Sequence, residues 1–151
     1  MRSRPKLTIL LLVLMAAMGL LSACGDSGPT DPRETVFAFF GAMEKNDQAA
    51  LAHLLDLVEL MKNTQTDYSL NSNEPRVFTN PVDILQDLTG TGLTKTRWFS
   101  MQRIVNRTEI NGESATVEVS FVDKTSSTQY LTKFGLHIVD GKWKIYSFKV
   151  S

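Results

Sequence analysis

A chain of 151 residues with 16 basic and 16 acidic side chains is long enough for one domain with a real core. Its charge is too evenly balanced for a nucleic-acid footprint, which needs clustered Lys and Arg. The single cysteine excludes an intrachain disulfide and a multi-thiolate metal site, and His53 and His137 are too far apart in the chain to make a metal-ligand motif.

Arg2, Arg4 and Lys6 precede an apolar run over residues 7–21, interrupted only by Thr8 and Gly19. That is signal-peptide length, short of the roughly 20 apolar residues of a spanning helix. Leu21, Ser22, Ala23 and Cys24 follow as a processing site: a leucine, two small residues that a peptidase accommodates, then the cysteine. The segment resembles the lipobox of bacterial lipoproteins. That resemblance implies cleavage between Ala23 and Cys24, a thioether-linked diacylglycerol on Cys24, and often a further acyl chain, such as palmitate, on the new α-amino group. One chain binds a membrane only marginally, at roughly 0.8 kcal/mol per buried methylene, so two or three hold the protein there essentially permanently.

On this reading residues 1–23 are a signal peptide and 24–30 are the lipidated cysteine and a Gly/Ser/Pro tether. Three of the 16 basic residues fall in the signal, leaving 13 against 16 acidic ones, a net charge of −3 with no polybasic aid to membrane binding. Gly25, where Asp would favour inner-membrane retention, leans toward the outer membrane, and Asp26 pulls the other way. The expected location is therefore the cell membrane or the outer membrane, facing the periplasm or the cell exterior.

A first helix opens with Asp31 as N-cap, Pro32 in the first turn and Glu34 completing a capping-box-like pattern. Val36, Phe37, Phe40 and Met43 share one face, which Phe39 broadens. Asn46 suits a left-handed end, and Asp47 caps a second helix with Leu51, Leu54, Leu55, Val58 and Met61 on its apolar stripe. Leu57 and Leu60 lie off that stripe, so this helix either breaks or is covered on two sides. Residues 63–80 read as a loop pinned by Tyr68, Leu70, Val77 and Phe78. Asn80 and Pro81 open a third helix with Ile84, Leu85 and Leu88 on its apolar side, stopped by Gly90 and Gly92.

From Lys95 the pattern turns to strands. Residues 98–110 form one long candidate, with a hairpin turn at Asn111-Gly112. Ala115, Val117, Val119 and Phe121 alternate with polar residues, as a half-buried strand requires. Tyr130, Thr132, Phe134, Leu136 and Ile138 line one face of the next strand. Asp140-Gly141 turns into a last strand from Trp143. Helices followed by an antiparallel meander make an α+β order. The expected core is Val36, Phe40, Leu54, Val117, Val119, Phe121, Phe134, Leu136 and Ile145.

The capped helix with its FFGAM stretch, the KNDQAALAHLLD junction, the third helix and the meander ending DGKWKIYSF resemble the NTF2-like superfamily over residues 31–148. More narrowly they look like its small bacterial lipoproteins of the uncharacterised DUF4878-like type. The resemblance implies an NTF2-like cone over residues 31–151: three N-terminal helices on a curved antiparallel sheet of about four strands. It also implies an internal pocket. Such folds host isomerase-, cyclase- and dehydratase-type enzymes as well as non-catalytic binding domains, so the fold does not choose the chemistry.

A pocket enzyme needs a positioned acid or base. Asp56, Tyr146 and above all His53, Tyr130 and His137 are the candidate pocket residues. Each has a plain reading too: His53 as a helix-edge histidine, Asp56 as a solvated helix residue, the tyrosines as ordinary sheet residues, and His137 opposite Phe134 and Leu136 on the outer face. The stretch from Gly90 to Thr96 only faintly echoes a phosphate loop, because it lacks the Gly-Lys-Ser/Thr ending and precedes an expected strand. The aromatics Phe37, Phe40, Phe121, Phe134 and Trp143 read as core, with some at a pocket mouth.

No pair at a telling spacing marks a catalytic residue, and the chain calls for no cofactor and no metal. The reading that follows is a membrane-anchored envelope module that binds a protein or a small apolar ligand without catalysis. An enzyme acting on a small apolar substrate and a purely structural envelope protein are the alternatives. Replacing the anchor residue, Cys24→Ser, is expected to abolish incorporation of labelled fatty acid and to remove the protein from the lipidated membrane fraction. Continued acyl labelling of that variant would exclude the lipobox reading.

Overall fold

The computed structural model describes residues 30–67 and 78–150. They form helices α1 (Pro32–Lys45), α2 (Gln48–Leu54), α3 (Leu57–Asp67), α4 (Pro81–Asp87) and α5 (Leu93–Phe99). Strands β1 (Gln102–Asn111), β2 (Ser114–Asp123), β3 (Thr128–Val139) and β4 (Lys142–Val150) follow and pair antiparallel in that order in a single sheet. The lipobox and the segment with Tyr68, Leu70 and Val77 lie outside the described residues, whereas Phe78 packs against the core.

Local chemistry accounts for the helix ends. The Asp31 carboxylate accepts the Arg33 N–H at 2.7 Å, and Asn46 ends α1 at φ 57. Asp47 and Asn80 cap α2 and α4 by accepting the N–H groups of Ala50 and Asp83. Packing corrects several expectations. Phe37 is 53% exposed, under the Arg33 guanidinium, and Phe39 takes the buried place on α1. The expected second helix is two helices, broken at Leu55 and Asp56. The break resets the helical phase, so Leu51, Leu55 and Leu60 are buried, Val58 is exposed and Leu54 is only half-buried.

A fifth helix also replaces the start of the expected first strand. Thr94 and Trp98, four residues apart on α5, are both buried, and β1 begins only at Gln102. Thr, Trp and Phe favour strands by propensity, and here the burial of one helical face overrides it. Five helices among the described residues therefore stand where the sequence reading has three.

Two one-residue bulges bend the sheet. One lies between Val105 and Thr108 of β1, the other in β4, where Tyr146 is the extra residue opposite Gly135 and Leu136. Asp140 and Gly141 both have positive φ, as a two-residue hairpin turn demands. On the inner face, Ala115, Val117, Val119 and Phe121 of β2 meet Phe134 and Leu136 of β3. Rings from α1 and α5 complete this face. Phe39 and Phe40 lie 5.8 and 5.7 Å from Phe134, Trp98 lies 5.0 Å from Phe121, and Phe148 lies 5.0 Å from Phe134. These separations are those of favourable edge-to-face and offset ring pairs.

Arg103 packs beside the cluster. Its guanidinium carbon is 3.9 Å from the Phe99 ring centre and 5.7 Å from that of Phe40, and Nη1 donates to the Trp98 carbonyl at 3.0 Å. Burial pushes this guanidinium below its ordinary pKa, with Glu44 opposing the shift.

Phe134 touches four other rings and is fully buried, so Phe134→Ala is expected to cost about 3–5 kcal/mol through lost transfer energy and a cavity. Urea unfolding checks this, and a loss below about 1 kcal/mol would contradict the packing.

Candidate functional site

The first cluster of chemistry-bearing side chains lies on the outer side of the sheet. Leu55 forms a parallel bridge with Ile145, and the Asp56 N–H donates to the Ile145 carbonyl at 2.8 Å. The break between α2 and α3 therefore lies along the free edge of β4. Asp56 then uses both carboxylate oxygens: Oδ1 caps α3 by accepting the Glu59 N–H at 3.1 Å, and Oδ2 accepts from His137 Nε2 at 2.9 Å. The bulged Tyr146 stacks on His137 with ring centres 4.7 Å apart. Gly135 makes room for that arrangement, since a Cβ there would meet Ser147 Oγ at 2.4 Å and Tyr146 Cζ at 3.0 Å.

An aspartate that orients a histidine is the geometry of a positioned base. The same contacts also tie the α2–α3 junction to β3 and β4. Of the residues singled out from sequence, the structure thus brings together Asp56, His137 and Tyr146. Tyr130 stands apart, half-buried against the core and paired with Phe121.

The second feature is a groove between α1, α2 and the start of β4, with a volume of about 520 Å³. Its apolar lining comes from Ala38, Gly41 and Ala42 of α1, Ala50 and Leu54 of α2, and Trp143 of β4. Its charged lining is Lys45, Lys142 and Lys144 against the single acid Asp47, with His53 beside them. His137 is not among the lining residues. Neither Lys45 nor Lys144 makes an ion pair among the described residues.

Local structure explains why this place is concave. α1 presents two alanines and a glycine, and the next helix returns tightly after Asn46 and presents another alanine. A Cβ built on Gly41 meets nothing within 4 Å outside its own helix backbone and chain neighbours. Neither crowding nor a positive φ calls for glycine there. Of these lining residues, the sequence reading singles out His53 as a pocket candidate and Trp143 as a core aromatic, and passes over Gly41 and the lysines. The signal was an interior helical glycine flanked by Ala38 and Ala42, on the edge of the apolar face.

The segment from Gly90 to Thr96 runs into α5, which starts at Leu93, and not into the expected strand. Several of its N–H groups are engaged within the protein: Thr94 N–H donates to the buried Asp87 Oδ1 at 3.3 Å, Gly90 N–H to Asn46 Oδ1 at 2.7 Å and Gly92 N–H to the Thr89 carbonyl at 2.9 Å. Lys95 Nζ donates to the same Asn46 oxygen. The loop locks the end of α1 to α5. Among the described residues no group of three or more His, Cys, Asp or Glu side chains is placed to hold a metal ion.

No protein-family model matches the chain. No curated protein matches it either. Solved structures do. A protein named Rd1NTF2_05, carrying five substitutions, superposes with a TM-score of 0.53 at 15% identity, over 79% of this chain and 95% of its own. An NTF2-like protein of unknown function from Silicibacter pomeroyi has a TM-score of 0.49 at 12% identity, over 78% of this chain and 91% of its own. Another from Cytophaga hutchinsonii has a TM-score of 0.44 at 14% identity, over 83% and 92%. The first of these likenesses shows an NTF2-like fold, and it shows the fold alone.

Because Gly41 lies inside a helix with open space above it, Gly41→Ala is expected to stabilise the protein by about 0.5–1 kcal/mol. A fall in the urea midpoint would show that the small residue is needed for packing.

Proposed function

We propose that this protein is a lipid-anchored module of the cell envelope that binds a ligand or partner and does not catalyse its conversion. The anchoring half of the reading rests on the order of basic residues, apolar run, small residues and Cys24. The binding half is carried by one observation: an open groove of about 520 Å³ lies between α1, α2 and β4, beside the rings packed between α1, α5 and the sheet. Catalysis needs a positioned acid or base beside groups that stabilise developing charge at a bound substrate. In this chain the oriented pair, Asp56 and His137, and the groove are formed by different residues. A tether of six residues after Cys24 confines the domain near one surface and raises its effective concentration for whatever is bound there.

The Asp56–His137 contact is the observation that favours an enzyme. The two readings separate in cells lacking the gene. The double variant Asp56→Asn with His137→Ala keeps a residue that can cap α3 and removes the oriented base. Folded and membrane-bound, it is expected to rescue the deletion phenotype as wild type does, whereas Cys24→Ser is expected to fail. If the double variant behaves like the deletion, the protein is an enzyme centred on that pair.

A further inference from the structure

We infer that the groove between α1, α2 and β4 is a binding site for a small organic carboxylate with an apolar body. The inference rests on the binding reading above and names its ligand class. Three features of the lining lead to it. First, the lining is locally basic: Lys45, Lys142 and Lys144 outnumber the one lining acid, Asp47, whereas residues 24–151 carry 13 basic and 16 acidic side chains. Asp47 Oδ1 is already engaged by the Ala50 N–H at 2.9 Å, where it caps α2. Lys45 and Lys144, without an ion pair among the described residues, are the ammonium groups an anion would meet.

Second, apart from His53 the rest of the lining is apolar. Ala38, Gly41, Ala42, Ala50 and Leu54 offer no hydrogen-bonding side chain, and Trp143 adds aromatic surface. A bare inorganic anion would leave that surface without a partner, whereas a carboxylate on a hydrocarbon or ring satisfies both halves. Lysines supply compact point charges that can meet a single anionic group, and the apolar lining, not the lysines, is what favours an organic anion over inorganic phosphate.

Third, the size fits. About 520 Å³ lies within the roughly 300–1,000 Å³ of small-molecule sites. A stable protein partner would need about 1,000 Å² of complementary surface in total. Gly41 lies in the groove wall with open space where a Cβ would stand. Any larger side chain there enters the space the ligand body would fill.

The test uses the full-length lipidated chain in nanodiscs, with empty nanodiscs as the control. The probe is 4-phenylbutyrate, compared with 4-phenylbutan-1-ol, 4-phenylbutylammonium and a short polyglutamate peptide by saturation-transfer NMR, and with inorganic phosphate as a competitor of the phenylbutyrate signal. The carboxylate is expected to bind, the alcohol and the ammonium more weakly, and phosphate to compete weakly. Lys45→Glu with Lys144→Glu should raise its Kd on the order of tenfold, the scale of losing a hydrogen bond to a charged group.

Gly41→Leu should abolish binding while its thermal midpoint stays at or above that of wild type. Equal binding of the alcohol and the carboxylate, or binding that survives Gly41→Leu, would overturn the inference. So would polyglutamate binding in place of phenylbutyrate. Complementation in cells keeps the two readings apart. If phenylbutyrate fails to bind and folded Gly41→Leu still loses wild-type function, the ligand class is wrong and the groove stands. If Gly41→Leu complements fully, the groove itself is not the binding site.

Discussion

The structure depends on the packing of aromatic rings between α1, α5 and the inner face of the sheet. Phe39, Phe40, Trp98, Phe121, Phe134 and Phe148 are all buried, and each lies within edge-to-face or offset range of others. Rings of this size remove a large apolar area from water, so their mutual fit sets how far the helices stand from the strands. It also explains why residues 93–99 are helical. As a helix the segment delivers Trp98 into the cluster and carries Phe99 beneath the Arg103 guanidinium. A strand begun at Trp98 would lose the α5 face that buries Thr94 and Trp98 together.

A second constraint is the junction of α2 and α3. The Asp56 N–H bonds to the Ile145 carbonyl, and its two carboxylate oxygens cap α3 and receive His137. One residue thus closes a helix break, covers the edge of β4 and reaches across to β3. The bulge at Tyr146 and the missing Cβ of Gly135 belong to the same device, since both are needed for the ring of Tyr146 to lie against His137. Stopping α2 at Leu54 leaves Leu54 half-buried beside Trp143, where it lines the groove.

The division between a filled interior and an open flank bears on how such folds diversify. The same sheet and helices serve a ligand only where side-chain volume leaves room, and here large rings take the interior while alanines and a glycine line the flank. Basic side chains gather at that flank although residues 24–151 carry 13 basic and 16 acidic side chains. In the reading proposed here the anchor at Cys24 confines the domain to a surface, and the groove selects what is held there.

The sequence by itself determined the helix caps at Asp31, Asp47 and Asn80, the left-handed stop at Asn46, the α+β order and the alternation that buries Val117, Val119 and Phe121. These are local: a side chain bonds a backbone group two or three residues away, or a period of two meets one apolar face. The parity that turns His137 away from Phe134 and Leu136 was legible for the same reason. Only the tertiary structure decided that the second helix breaks at Leu55, although Asp56 followed by Glu59 carries the pattern of a new N-terminus. It alone decided that residues 93–99 are helical, that Phe37 yields its place to Phe39, and that Asp56, His137 and Tyr146 meet. The groove was invisible because α1, α2 and β4 supply its lining from places about 100 residues apart. Its concavity depends on side chains that are absent, and whether an absent side chain leaves a hole depends on neighbours that only the fold brings near.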